Sequence, residues 1–136
     1  MLQGDFYVVG SLHTESQTIK AVLKLNPAHR IFEGHFPGQP VVPGVCMMQM
    51  IKETVEQVTG KKTRLIRADY AKFLAMIDPR KHADISLELT YTISEKNEIA
   101  ILASLFFESI IFLKYKAVML SLNEASAQSN STQDLS

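Results

Sequence analysis

The stretch Gly34-His35-Phe36-Pro37-Gly38-Gln39-Pro40-Val41-Val42-Pro43-Gly44-Val45-Cys46-Met47-Met48-Gln49-Met50-Ile51 decides how this chain is read. Its first half is a rigid loop. Three prolines and two glycines between Asn26 and Pro40 leave no room for a regular element. Its second half changes period. Pro43 suits the first turn of a helix, where its missing N–H is not needed, and Gly60 followed by Lys61 and Lys62 suits the end of one. The spacing predicts one helix over Pro43–Thr59. From Val45 to Ile51 that helix is apolar on every side except at Gln49, so it is expected to be buried on every side. From Lys52 to Gln57 it turns polar and is expected to emerge toward solvent.

Strand patterns surround the helix. Phe6 to Val9 form the apolar part of a strand over Asp5–Leu12, with a turn at Thr14-Glu15-Ser16. Thr18–Leu25 alternates as a second strand. After the helix come Arg64–Ala75, Ile85–Ile93 and Ile99–Leu122, the last long enough for one bent strand or two. Lys96-Asn97 suits a hairpin turn, and Phe107-Glu108-Ser109 a further one. Ile85, Leu87, Leu89, Tyr91 and Ile93 share one face. A flat sheet cannot bury every side of a helix. The sheet must curl around it, or a second subunit must cover the far side. The expectation is an α+β fold, a curled antiparallel sheet wrapped around one long central helix, in a single domain over residues 1–122. The Ser-, Asn- and Gln-rich residues 123–136 read as a disordered tail.

Composition narrows the function. The 136 residues carry 14 basic and 14 acidic side chains, 46% hydrophobic residues and one cysteine, Cys46. A balanced charge gives no bulk attraction to nucleic acid or to an anionic membrane. One cysteine excludes an intrachain disulfide, and no Cys/His pair has zinc spacing. The start of the chain lacks the basic residues and apolar run of a signal peptide. Glu108, Lys114 and Lys116 interrupt the longest apolar run, so no membrane span is expected. The expected location is the cytoplasm, and no metal or cofactor is implied.

The loop carries the chemistry. Prolines at 37, 40 and 43 can hold His35 at a fixed place, as a base requires. The loop runs into a helix start whose free N–H groups, at Gly44 and Val45, can polarise a carbonyl oxygen. Gly44 has no side chain to block that approach. A base beside such donors suits removal of a proton α to a carbonyl. A structural histidine in a tight loop is the alternative reading of His35 alone.

Gly34 to Val45 resembles, without a gap, the active-site signature of the 3-hydroxyacyl-acyl carrier protein dehydratases, Gly-His-Phe-Pro-Gly-x-Pro-x-x-Pro-Gly-Val. Ala71-Lys72-Phe73 and Asp78-Pro79 resemble the family's Lys-Phe strand and following turn. With Pro27 to Glu33 ahead of the loop, the chain is most similar to the dehydratase-like proteins of aryl-polyene-type pigment clusters. The resemblance implies a hotdog fold and elimination of water from a 3-hydroxyacyl thioester of acyl carrier protein or coenzyme A. It implies that His35 handles the α-proton and that the Gly44 N–H holds the thioester carbonyl. Phe36 and Val42, with Pro37, Pro43 and Val45, would line the acyl tunnel. The implied assembly is a homodimer or larger even oligomer, or a heterodimer with a hotdog paralogue.

One position departs from the family. The family's helix carboxylate, four residues after Val45, is replaced by Gln49. An amide is no proton donor at neutral pH, although it can still orient a hydroxyl. Three explanations stay open: His35 performs both proton transfers, Glu53 one turn on substitutes as the acid, or a partner subunit supplies it. A thioesterase, and an acyl-binding subunit without activity, are the competing functions. Among the remaining side chains, His29 is expected to flank the loop and bond Glu33, with a second catalytic histidine as its alternative role. His13 and His82 are expected on the surface. Cys46 is expected to be buried and inert, and Arg30, Lys72, Arg80 and Lys81 to form a basic rim.

Overall fold

The computed structural model describes residues 1–33 and 40–122. His35, Phe36 and Pro37, and the tail expected over 123–136, lie outside the described residues. The elements run β1 (Tyr7–Glu15), β2 (Thr18–Leu25), a 3-10 turn (Arg30–Phe32), α1 (Gly44–Thr59), β3 (Lys62–Phe73), β4 (Asp84–Ile93), β5 (Glu98–Phe107) and β6 (Ile110–Leu122). The strands form one antiparallel sheet in the order β1-β2-β4-β5-β6-β3.

Alternation builds the inner face. Ile19, Leu23, Ile85, Leu87, Leu89, Ile99, Ile101, Leu105, Phe112 and Leu113 point inward and are buried, packed in one cluster with Met47, Met50, Ile51 and Val55 of α1. Burial of this kind is the main favourable term in folding. The hotdog arrangement expected from the sequence, one long helix against a curled sheet, is the one observed. The inward face of β4 fades at its end, where Tyr91 is only partly buried and Ile93 is exposed.

Turn chemistry sets the strand ends. Ser16 and Gln17 both take positive φ, 49° and 67°, the backbone of a tight hairpin whose twist matches its strands. The β1–β2 turn thus falls later than the Thr14-Glu15-Ser16 cluster suggests, and β1 extends to Glu15. Asn97 (φ 63°) turns β4 into β5, and Glu108 (φ 52°) splits the long C-terminal stretch into β5 and β6. Asn-containing turns tolerate the left-handed region readily.

The helix has the expected bounds to within a residue, but not the expected burial. Pro43 is the cap (φ −62°, ψ 147°) and Gly44 the first helical residue. Gly60 (φ 72°) closes the other end in the left-handed conformation that lacks a penalty only for glycine. The second half emerges into solvent only in part: Gln57 is exposed and Lys52 and Glu56 are partly buried. Glu53, Thr54 and Val55 are buried. Thr54 donates to the Met50 carbonyl at 2.9 Å, and Glu56 accepts from the N–H and hydroxyl of Thr63 at 2.7 and 3.1 Å. Polar side chains remain inside here because each finds a hydrogen-bond partner. The first half is not covered on every side either, since Val45 is 70% exposed.

β3 is an edge strand of a different character. Among the described residues it pairs with β6 alone, has two bulges (Leu65/Arg67 and Ala68/Tyr70), and leaves Leu65, Ile66 and Phe73 exposed.

Candidate active site

The site is built where the loop before α1 meets the end of β3. Val42 is buried, and its N–H donates to the Ile77 carbonyl at 3.0 Å, which ties the helix approach to the segment after β3. The Pro43 carbonyl accepts from Cys46 and Met47 at 3.0 and 3.2 Å. The N–H groups of Gly44 and Val45 find no acceptor among the described residues, as expected of a first helical turn. The helix dipole adds to their pull on a negative oxygen.

Gly44 has a steric reason to be glycine. A Cβ there would stand 2.8 Å from Cε1 and Cζ of Phe73, whose ring lies across the start of the helix. Phe73 is half-exposed and can give way. Gly44→Ala is therefore expected to lower stability by about 1 kcal/mol, the low end for overpacking. Gly44→Ala combined with Phe73→Ala should regain that loss relative to Phe73→Ala alone. Denaturant unfolding of the four proteins in this cycle checks it, and a full additive penalty in the double variant would contradict it.

Val45, Gln49 and Glu53 follow one another at four-residue intervals along one helix face. Val45 is open and Gln49 partly buried. Glu53 is 2% exposed, so the solvated helix residue expected within Lys52–Gln57 is corrected at this position. Its Oε2 accepts from the Leu2 N–H at 2.7 Å and from Gln49 Nε2 at 2.8 Å. Its Oε1 accepts from the Gln3 N–H at 2.9 Å and from the Tyr7 hydroxyl at 3.1 Å. The start of the chain folds back to supply these donors. Gly4 takes φ 101°, its N–H donates to the Tyr7 carbonyl at 2.7 Å, and Phe6 donates to the Leu2 carbonyl at 2.9 Å.

Burial alone would push the Glu53 carboxyl up. The hydrogen bonds from Leu2, Gln49, Gln3 and Tyr7 outweigh it and hold the group below the usual carboxylate range. Burial, then the neighbouring Glu53 charge, raises the Tyr7 hydroxyl, which stays a donor. An ionised carboxylate with four donors has no proton to give.

The other histidines have structural partners. His29 bonds Asp5, not Glu33: Nε2 lies 3.0 Å from Asp5 Oδ2, and Nδ1 accepts from the Ile31 N–H at 3.0 Å, capping the 3-10 turn. The Nδ1 acceptor role leaves Nε2 as the donor. His82 is not a plain surface residue. Its Nδ1 accepts from the Asp78 N–H at 3.1 Å, and its ring packs on Phe107 and Phe112 at centroid distances of 5.3 and 5.1 Å. His13 lies at the surface. Cys46 is buried, which raises its thiol. Of the basic rim, Lys72 sits over the Tyr70 ring at 4.7 Å and Arg80 pairs with Asp78 at 3.3 Å. Leu2, Gln3 and Tyr7 were not legible as site residues, because two of them act through backbone N–H groups that no side chain announces.

The model of the ApeI dehydratase family matches residues 11–104, which span the loop, the whole of α1 and β2 through β4. The chain belongs to the ApeI-like dehydratase family. A 3-hydroxyacyl-[acyl-carrier-protein] dehydratase, FabZ, of Clostridium acetobutylicum is 31% identical over 67 residues, covering 44% of this chain and 48% of the relative. The chain spans about half the length of the curated relatives it matches. Two solved structures share the fold. The dehydratase heterocomplex ApeI:P of Xenorhabdus doucetiae aligns at a TM-score of 0.63 and 20% identity, covering 84% of this chain and 97% of that one. Cj0977, a virulence protein of Campylobacter jejuni, aligns at 0.65 and 12%, covering 90% and 89%. The carboxyl group beside Gln49 among the described residues is that of Glu53, held by its four donors below the usual carboxylate range. No helix among the described residues is long and apolar enough to cross a membrane.

Proposed function

We propose that this chain eliminates water from a 3-hydroxyacyl thioester, carried by acyl carrier protein or coenzyme A, to give the 2-enoyl thioester. The observation that carries this reading is the family match over residues 11–104, which contains both His35 and the open start of α1. The thioester carbonyl accepts from the Gly44 N–H, which stabilises the negative charge that builds on its oxygen. His35 removes the α-proton. The C–H electron pair becomes the second bond between C2 and C3, the C3–O bond breaks, and the hydroxyl leaves as water with the proton that His35 returns. Protons balance and no cofactor is needed. Gln49 holds the departing hydroxyl. In this reading Glu53, held by four donors, is the charged partner of Gln49 and not the acid. The acyl chain lies along Phe36, Pro37, Val42, Pro43 and Val45.

The working unit is an oligomer in this reading, a homodimer or a pair with a hotdog paralogue. Two exposed apolar regions support it, Val45 on α1 and Leu65 with Ile66 on the β3 edge. An unpaired edge with apolar side chains is a natural place for another strand to add. The amide at position 49 favours a second reading, a subunit that reaches full activity only beside a paralogue with a carboxyl group there. The protein is placed in the cytoplasm with its carrier.

The test is conversion of 3-hydroxyacyl-carrier protein to enoyl product, by the chain alone and mixed with a paralogue, with a thiol reagent present. Enoyl product without free thiol supports dehydration. Free thiol in its place moves the assignment to a thioesterase, and neither product under any pairing rejects the proposal.

A further inference from the structure

The Gln49 side chain can present either its carbonyl oxygen or its NH2 to the substrate cleft that the dehydratase reading puts beside the start of α1, and the two differ in what they do to a substrate hydroxyl. The contact with Glu53 decides between them. Gln49 Nε2 stands 2.8 Å from Glu53 Oε2. An ionised carboxylate only accepts, so the amide must turn its NH2 toward it. A reversed amide would set two acceptors against each other in a part-buried site. Oε1 of Gln49 accepts nothing among the described residues. Gln49 itself lies on the helix face between Glu53 and the exposed Val45.

We propose that Glu53 is a positioning residue that locks the Gln49 amide with its carbonyl oxygen toward the cleft, as the acceptor for the hydroxyl of a 3-hydroxyacyl substrate. The inference rests on the dehydratase reading above and adds to it how the hydroxyl is held. With its hydrogen pointed at Gln49 Oε1, the hydroxyl oxygen turns a lone pair toward the group that protonates it. Glu53 touches no substrate. It is fixed in turn by the Leu2 and Gln3 N–H groups and the Tyr7 hydroxyl, so the start of the chain sets the orientation of a group at the reaction centre.

Three variants test this. In Glu53→Gln the new amide can donate to Gln49 and reverse it, so kcat should fall about tenfold, the worth of one hydrogen bond to the transition state, with KM little changed. The exchanged pair, Gln49→Glu with Glu53→Gln, restores an acceptor facing the cleft and a donor behind it. Its kcat should recover most of that loss, although the N-terminal bonds stay as weak as in the single variant. In Gln49→Glu alone the two carboxyl groups share a proton, which residue 49 carries toward Glu53. Activity should persist below neutral pH and decline as pH rises through the raised value of the pair. All rates are compared where circular dichroism shows complete folding.

An unchanged kcat in Glu53→Gln, or an exchanged pair no better than that variant, overturns the inference. A wild-type protein without dehydration, alone or with a paralogue, overturns the dehydratase reading and with it the substrate half of this one. The orientation itself is read without turnover. The side-chain NH2 resonances of Gln49 should shift as Glu53 titrates, and an amide signal indifferent to that titration rejects the lock.

Discussion

Replacing His35 by alanine should reduce turnover of a 3-hydroxyacyl thioester by about 10²–10⁴-fold, the range of a single general acid–base group. The effect is expected in kcat more than in KM, because the α-proton is moved only in the transition state. No other side chain described near the start of α1 can take its place. His29 is engaged at both ring nitrogens by Asp5 and Ile31, and His82 accepts from Asp78. Steady-state kinetics on carrier-bound substrate, with stability measured in parallel, checks the result. A variant with more than a tenth of wild-type activity would remove His35 from the chemistry.

Glu53→Ala should give the largest loss of stability, about 3 kcal/mol, since removing the acceptor leaves a buried Tyr7 hydroxyl and two backbone N–H groups without partners. The same network sets a pH dependence. The Glu53 carboxyl is lowered in the folded protein, so its contribution is complete above the unfolded value of about 4.3. It is lost as pH falls below that value and through the lower folded one. Urea unfolding from neutral to acid pH should show wild type losing stability over this interval while Glu53→Ala stays flatter. Equal slopes for the two proteins would mean that the network holds no charge.

Much of the fold was legible because its signals are local. The alternation in Thr18–Leu25 and Ile85–Leu89 defines two central strands, and Pro43 and Gly60 bracket the helix to within a residue. The signals that failed depend on partners distant in sequence. Lys52–Gln57 reads as a solvated helix end, yet Glu53 is buried by Leu2, Gln3 and Tyr7, some fifty residues away along the chain. The 3-10 turn at Arg30–Phe32 is hidden in a proline-rich stretch because its cap, His29, is anchored by Asp5 from before β1. The exposed apolar side chains of β3 have no local signature, since a strand covered by its own sheet and one waiting for a partner share the same alternation. At the site, the position of Gln49 could be read from the family pattern, but not the direction of its amide, which the buried carboxylate determines.

The strand order has a consequence for how the protein is made. β3 is synthesised before β4, β5 and β6, but its neighbour among the described strands is β6. Throughout the emergence of β4 and β5 its partner strand does not yet exist. The four strands β1, β2, β4 and β5 can close on one another in the meantime. A chain halted before Ile110 would therefore be a nearly complete sheet trailing an orphaned strand, the kind of species that meets another nascent chain before it meets its own end. Completion of the C-terminal strand is the step that gives β3 its partner in the sheet.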